Sequence, residues 1–147
     1  MSQISLKSRD IATGEFHATA NGENCSLDIS QMFMSRDEFS PDGMWFQIYF
    51  KESDDKNNRI NLTIYNIEKI QKGDVYPFVS MWDAPVGMVF AFGAAYLPNG
   101  ATTFMTEGEF QVTELDRNAG VIHFNFKAYG NPIFPVIKGA AKLKGSF

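Results

Sequence analysis

Two histidines, one cysteine and seventeen acidic residues are the groups in this chain suited to metal binding, nucleophilic attack or proton transfer. A structural zinc site uses four N or S ligands, and a catalytic one usually takes three from the protein. His17 and His123 stand in separate alternating runs, outside any short-spaced ligand motif, and read as solvent-facing strand residues. Cys25 has no partner for an intramolecular disulfide and reads as a small buried hydrophobe. No G-x-S-x-G elbow, P-loop or G-x-G-x-x-G is present, so neither cofactor nor metal is expected. Glu52, Asp54 and Asp55 share a loop without the Gly and terminal Glu of a calcium loop, and Asp37, Glu38 and Asp42 flank another turn. Seventeen carboxyl groups always contain pairs fit for glycoside hydrolysis, so a carboxylate-based hydrolase stands as an alternative that spacing alone does not select.

The aromatic residues off the predicted core face say more. In "MWFQIYF" (44–50), Trp45, Gln47 and Tyr49 share one side; in "RINLTIYNI" (59–67), Tyr65 shares a side with Asn61 and Thr63. If these segments pair, Trp45, Gln47, Tyr49 and Tyr65 form an aromatic–amide patch. Ring faces supply contact area and amides supply directed hydrogen bonds, a mixture suited to a sugar ring or a protein partner. The competing reading makes that side a second core, packed under the irregular segment 68–87. Trp82, beside Asp83 within that segment, is a further candidate.

The elements that must hold these residues are strands. "GEFQVTELDRNAGVIHFNFKAYG" (108–130) is two period-two runs around a polar turn, which predicts Phe110, Val112, Ile122, Phe124 and Phe126 inside and His123, Asn125 and Lys127 outside. Asn21-Gly22 predicts a tight hairpin, because a type I′ turn needs positive φ at both central positions. Segments 44–50 and 59–67 read as a hairpin across the solvated turn 51–58, while 30–43 gives mixed signals for a short helix or a loop. The run "MVFAFGAAYL" (88–97) suggests a central strand buried on both faces. Lys138, Lys142 and Lys144 near the end look like the charges that protect an edge strand. Short strands at roughly ten-residue spacing predict an all-β protein, a single-domain antiparallel β-sandwich or barrel over 1–147 with at most one or two short helices.

Composition bounds the partners. A 147-residue chain is long enough for a core without metal or disulfide staples, and fourteen Phe and seven Met make that core aromatic. Net charge is −4, so no global field attracts nucleic acid. No apolar run approaches the roughly 20 residues of a membrane-spanning helix. The opening "MSQISLKSRD" lacks the apolar stretch of a signal peptide, giving a cytoplasmic expectation, with a secreted mature form as the alternative.

"FHATANGENC", "INLTIYNIEKIQKGDVYPF", "GEFQVTELD" and the closing "KGAAKLKGSF" together resemble a family of small, β-rich bacterial proteins of unknown function, many of them secreted or lipid-anchored. The matching features are an F-x-A-x-x-x-G opening, a G-x-F-x-V-T-x-L-D hairpin and a terminal G-x-F. They are turn and core positions, so the resemblance implies a β fold and no catalytic residue. The expected function is a non-catalytic β-module binding a protein or glycan partner through an aromatic surface. The alternatives are the hydrolase and a small barrel carrying an apolar ligand.

Overall fold

A computed structural model describes residues 11–24, 29–36, 42–50, 58–97, 102–130, 135–145 and 147. Asn21 and Gly22 adopt φ of 50° and 86°, the left-handed pair that the tight turn requires, and join β1 (Thr13–Ala20) to the two-residue β2 (Glu23–Asn24). The strands that follow are β3 (Ile29–Arg36), β4 (Met44–Phe50), β5 (Arg59–Tyr65), β6 (Val75–Pro77), β7 (Phe90–Tyr96), β8 (Thr102–Met105), β9 (Glu107–Asp116), β10 (Val121–Tyr129) and β11 (Ile137–Lys144). One 3-10 turn, Ile67–Lys69, interrupts them. They form a β-sandwich with a six-stranded sheet, order β2-β1-β11-β10-β9-β6, and a five-stranded sheet, order β3-β4-β5-β7-β8; every strand pairing is antiparallel.

Period-two alternation sorts each strand between core and outer face. Phe110, Val112, Ile122, Phe124 and Phe126 are buried, while Asn125 and Lys127 are exposed and His123 is half-buried, as the hairpin pattern requires. Phe46 from the opposite sheet lies 5.4 Å from Phe124, and Phe78 lies 6.0 Å from both Phe110 and Phe126. The phenylalanines thus fill the interior with ring-on-ring contacts. A partly open cleft of about 620 Å³ lies at the β1–β3 edge, lined by Ile11, Phe16, His17, Ile29 and Met32 among others.

Among the described residues, three places sew the sheets together. Ile11, just before β1, bridges Phe33 in β3, Phe78 bridges Ala91 in β7, and the chain passes from β8 to β9 through Thr106, whose N–H donates to Tyr129 O at 3.0 Å.

Four expectations change. Segment 29–36 is a strand; Phe33 faces outward onto Tyr49 between inward Met32 and Met34, so the apolar run hides the alternation. Strand β5 stops at Tyr65, because Asn66 turns left-handed at φ 58° and the 3-10 turn begins. Strand β11 lies inside the six-stranded sheet, hydrogen-bonded to β1 and β10, so its lysines mark a solvated sheet face and protect no edge. Strand β7 is central as expected, but its two sides differ, with small Ala91, Gly93 and Ala95 inward and Phe90, Phe92 and Tyr96 on the outer face. The small inward residues let the backbones close up: a Cβ on Gly93 would collide with the backbone of Asn61 and Leu62. Cys25, Asp37, Glu38 and the acidic loop Glu52, Asp54 and Asp55 lie outside the described residues.

A candidate recognition face on the five-stranded sheet

The hairpin β4–β5 forms in the register that the parity argument needs. Trp45 faces Thr63, Gln47 faces Asn61 and Tyr49 faces Arg59. All six side chains lie on the outer face, since Met44, Phe46, Ile48, Ile60, Leu62 and Ile64 take the core. The neighbouring strands extend each row. Ser35, Trp45, Thr63 and Phe92 make one; Phe33, Gln47, Asn61, Ala94 and Phe104 the next; Gln31, Tyr49, Arg59, Tyr96 and Thr102 a third. Tyr65 pairs with Phe90 at the end.

The centre of this face is an amide pair. Gln47 is 4% exposed, and its Nε2 donates to Asn61 Oδ1 and to Tyr49 Oη, both at 3.2 Å. A buried amide is held this firmly because leaving it unsatisfied costs about 1–3 kcal/mol. Rings surround it. Phe33 meets Tyr49 edge-to-face at 5.9 Å, and Tyr65 stacks on Phe90 at 4.5 Å with 12° between planes. Phe92 stacks on Phe104 at 6.4 Å, and the Arg59 guanidinium sits 4.5 Å from the Tyr96 ring centre.

Trp45, Tyr49 and Tyr65 are each half-buried. Segment 68–87 does not lie across them as a second core layer. It leaves through the 3-10 turn, pairs as β6 with β9 of the other sheet, and bridges β7 through Phe78. It touches the aromatic face through Trp82, 79% exposed, whose ring meets Phe92 edge-to-face at 5.6 Å. The structure therefore brings Trp45, Gln47, Tyr49 and Tyr65 onto one face and sets Trp82 at its β7 side.

Sequence reasoning missed Phe33, Arg59, Phe90, Phe92, Tyr96 and Phe104 on this face. For β7 the signal was present. Large residues occupy the even positions 90, 92 and 96 and small ones the odd positions 91, 93 and 95, which is a two-sided strand with one aromatic side. Assigning that side to the Trp45 face required the strand order β4-β5-β7.

Among the described residues, the carboxyls of Glu68 and Glu114 are both shifted downward. Glu68 is hydrogen-bonded to Arg36 at 2.8 Å, and that guanidinium holds its carboxyl below the ordinary value of 4.5. Glu114 is likewise held low, first by the Leu115 N–H and then by Lys72. A general acid needs the opposite shift. Burial raises the Tyr76 hydroxyl, which accepts from the Gln71 N–H and donates to Asp74; this ties down the loop before β6. His17 and His123 both lie on the outer face of the six-stranded sheet, with β11 between their strands. No group of three or more metal-ligating side chains occurs among the described residues, and none of their helices is long and apolar enough to cross a membrane.

Comparison of the chain with protein-family models, with curated proteins and with solved structures gives no match.

Proposed function

We propose that the protein is a non-catalytic β-module that binds a protein or glycan partner through the outer face of its five-stranded sheet. One observation carries this reading. Aromatic side chains from all five strands of that sheet collect on a side the core does not use, around the Gln47–Asn61 amide pair and next to an exposed Trp82. A sandwich is stable with a polar outer face, so this concentration of rings calls for a role beyond folding. Gln47 fixes the Tyr49 ring by hydrogen bonding, and a ring fixed before contact loses little conformational freedom on binding. The resemblance to small bacterial β-rich proteins of unknown function belongs to the same proposal, because the motifs behind it build turns and scaffold strands.

The test is a screen of the purified protein against soluble polysaccharides and against proteins captured from a cell extract, repeated with Tyr65→Ala and Trp82→Ala. A genuine partner should lose about 2 kcal/mol of binding with at least one variant, near a thirtyfold change in affinity. Partners whose affinity is indifferent to Trp45, Tyr49, Tyr65 and Trp82 substitutions alike would remove this face as the site.

A further inference from the structure

The cleft at the β1–β3 edge is built from backbone as much as from side chains. Ile11 and Ala12 run beside β3, and the Ala12 N–H donates to Met32 O at 2.9 Å. Beyond this seam the two strands part. β1 joins β11 in one sheet and β3 joins β4 in the other. The cleft, about 620 Å³, opens between them, with residues 14–17 on one wall and 29–32 on the other.

Both walls are strand edges. β2 covers β1 only at Thr19 and Ala20, so along residues 14–16 β1 has β11 on one side and, among the described residues, no strand on the other. β3 ends its sheet, and along residues 29–32 it has β4 on one side, with Met32 O taken by Ala12 on the other. The remaining sheet ends are blunted in the usual ways. β2 has two residues, β6 has three and includes Pro77, and Gly130 lies so close to Phe104 O of β8 that a Cβ there would collide. "ISQMFMS" (29–35) carries neither a charge nor a proline.

We infer that this cleft takes up an extended peptide segment of another protein, which pairs with both edges as an added strand. Stacked sheets lie about 10 Å apart and paired strands about 4.8 Å apart, so one strand in the gap reaches both walls. The walls select a backbone as the occupant. A second chain supplies donors and acceptors at strand spacing, whereas an apolar small molecule strips water from the edge N–H and C=O groups and pairs with none of them. The floor selects the side chains. Phe16, Ile29 and Met32 face the core, and Ile29 and Met32 are only partly covered, so every second residue of the added strand is apolar and closes the interior there. Charge selects the residue between. Glu15 is the acidic side chain of the lining, and its cross-strand neighbour Lys142 makes no ion pair with it among the described residues, so a Lys or Arg on the added strand complements it. Tyr65 and Trp82 take no part in the cleft, so this site stands or falls independently of the sheet face proposed above.

Panning a phage-displayed library of random heptapeptides on the purified protein should enrich sequences with an apolar residue at every second position and a Lys or Arg between them. A synthetic peptide of the enriched sequence, blocked at both ends, should bind roughly tenfold or more tightly than the same peptide N-methylated on either alternate set of amides, because each set donates to one of the two edges. Glu15→Lys, a change at an exposed side chain, should weaken the unmethylated peptide about tenfold, while Tyr65→Ala and Trp82→Ala leave its affinity unchanged. No enrichment over wells without the protein would overturn the proposal, as would equal binding of a methylated peptide. A peptide that responds to Tyr65→Ala and not to Glu15→Lys would overturn it by belonging to the sheet face. A dimer in sedimentation that Glu15→Lys breaks up would give the cleft to a second copy of this chain and overturn it too.

Discussion

The two outer faces of this sandwich share one architecture and differ in chemistry. On the six-stranded sheet, cross-strand rows read Glu15, Lys142, His123 and Glu114, then Thr19, Lys138, Lys127 and Glu109. Most of these side chains are exposed. On the five-stranded sheet the rows carry Trp45, Phe92, Phe33, Phe104, Tyr49 and Tyr96, and the formal charge within them is Arg59, set against a tyrosine ring. Both sheets bury the same kind of inner face against each other, so folding does not require the aromatic one. The comparison separates what scaffolding needs from what is left over, and the remainder is where recognition belongs.

The largest effect should come from the shared core, which sets the scale for everything outside it. Phe124→Ala empties a site enclosed by Phe46, Phe110 and Phe126, and should lower stability by about 3–5 kcal/mol in urea unfolding. A smaller loss should distinguish the faces themselves. Gln47→Ala removes a buried amide that donates to Asn61 Oδ1 and Tyr49 Oη and should cost about 1–3 kcal/mol, whereas Asn125→Ala on the opposite face should stay within about 0.5 kcal/mol. Equal costs would show that the aromatic face is no better organised than the polar one. Lys127→Ala should also stay within about 0.5 kcal/mol, and a loss comparable to that of Phe124→Ala would mean that the β9–β10 register is wrong.

The smallest expected effect concerns pH. Glu68 has a lowered pKa in the folded protein because Arg36 bonds its charged form. Its contribution is therefore complete above the ordinary glutamate value and disappears as pH falls through the lowered one. Both partners are well exposed, with side chains at 35% and 62%, so solvent screening keeps the pair within about 1 kcal/mol. Unfolding curves of the Glu68→Gln variant and the parent should converge in acid and separate slightly near neutrality.

The polar face and the core were legible in the sequence because each is written along a single strand. Phe110, Val112, Ile122, Phe124 and Phe126 announce their side by alternation alone. The aromatic face was half legible for the same reason. Trp45, Gln47, Tyr49 and Tyr65 sit on two strands joined in a hairpin, and parity carried across the turn. Phe92 and Phe104 joined them only through the order β5-β7-β8, which no local pattern records. The reading of Lys138, Lys142 and Lys144 as edge protection failed on the same point. A lysine that alternates outward looks alike on an edge and in the middle of a solvated sheet. Strand β3 was obscured because Phe33 faces outward between inward Met32 and Met34, so its apolar run shows no alternation.

The three seams between the sheets have a mechanical consequence. In a sandwich joined only by side-chain packing, the layers are able to part while their backbone ladders stay whole. Here the bridges at Ile11–Phe33 and Phe78–Ala91, with the passage through Thr106, run hydrogen bonds from one layer to the other, so prising the layers apart tears the ladder. The Ala12, Val79 and Thr106 amides, which donate across these seams, should exchange with solvent deuterium only as slowly as the whole domain opens. The two faces, unlike in chemistry, would then share a single cooperative fate.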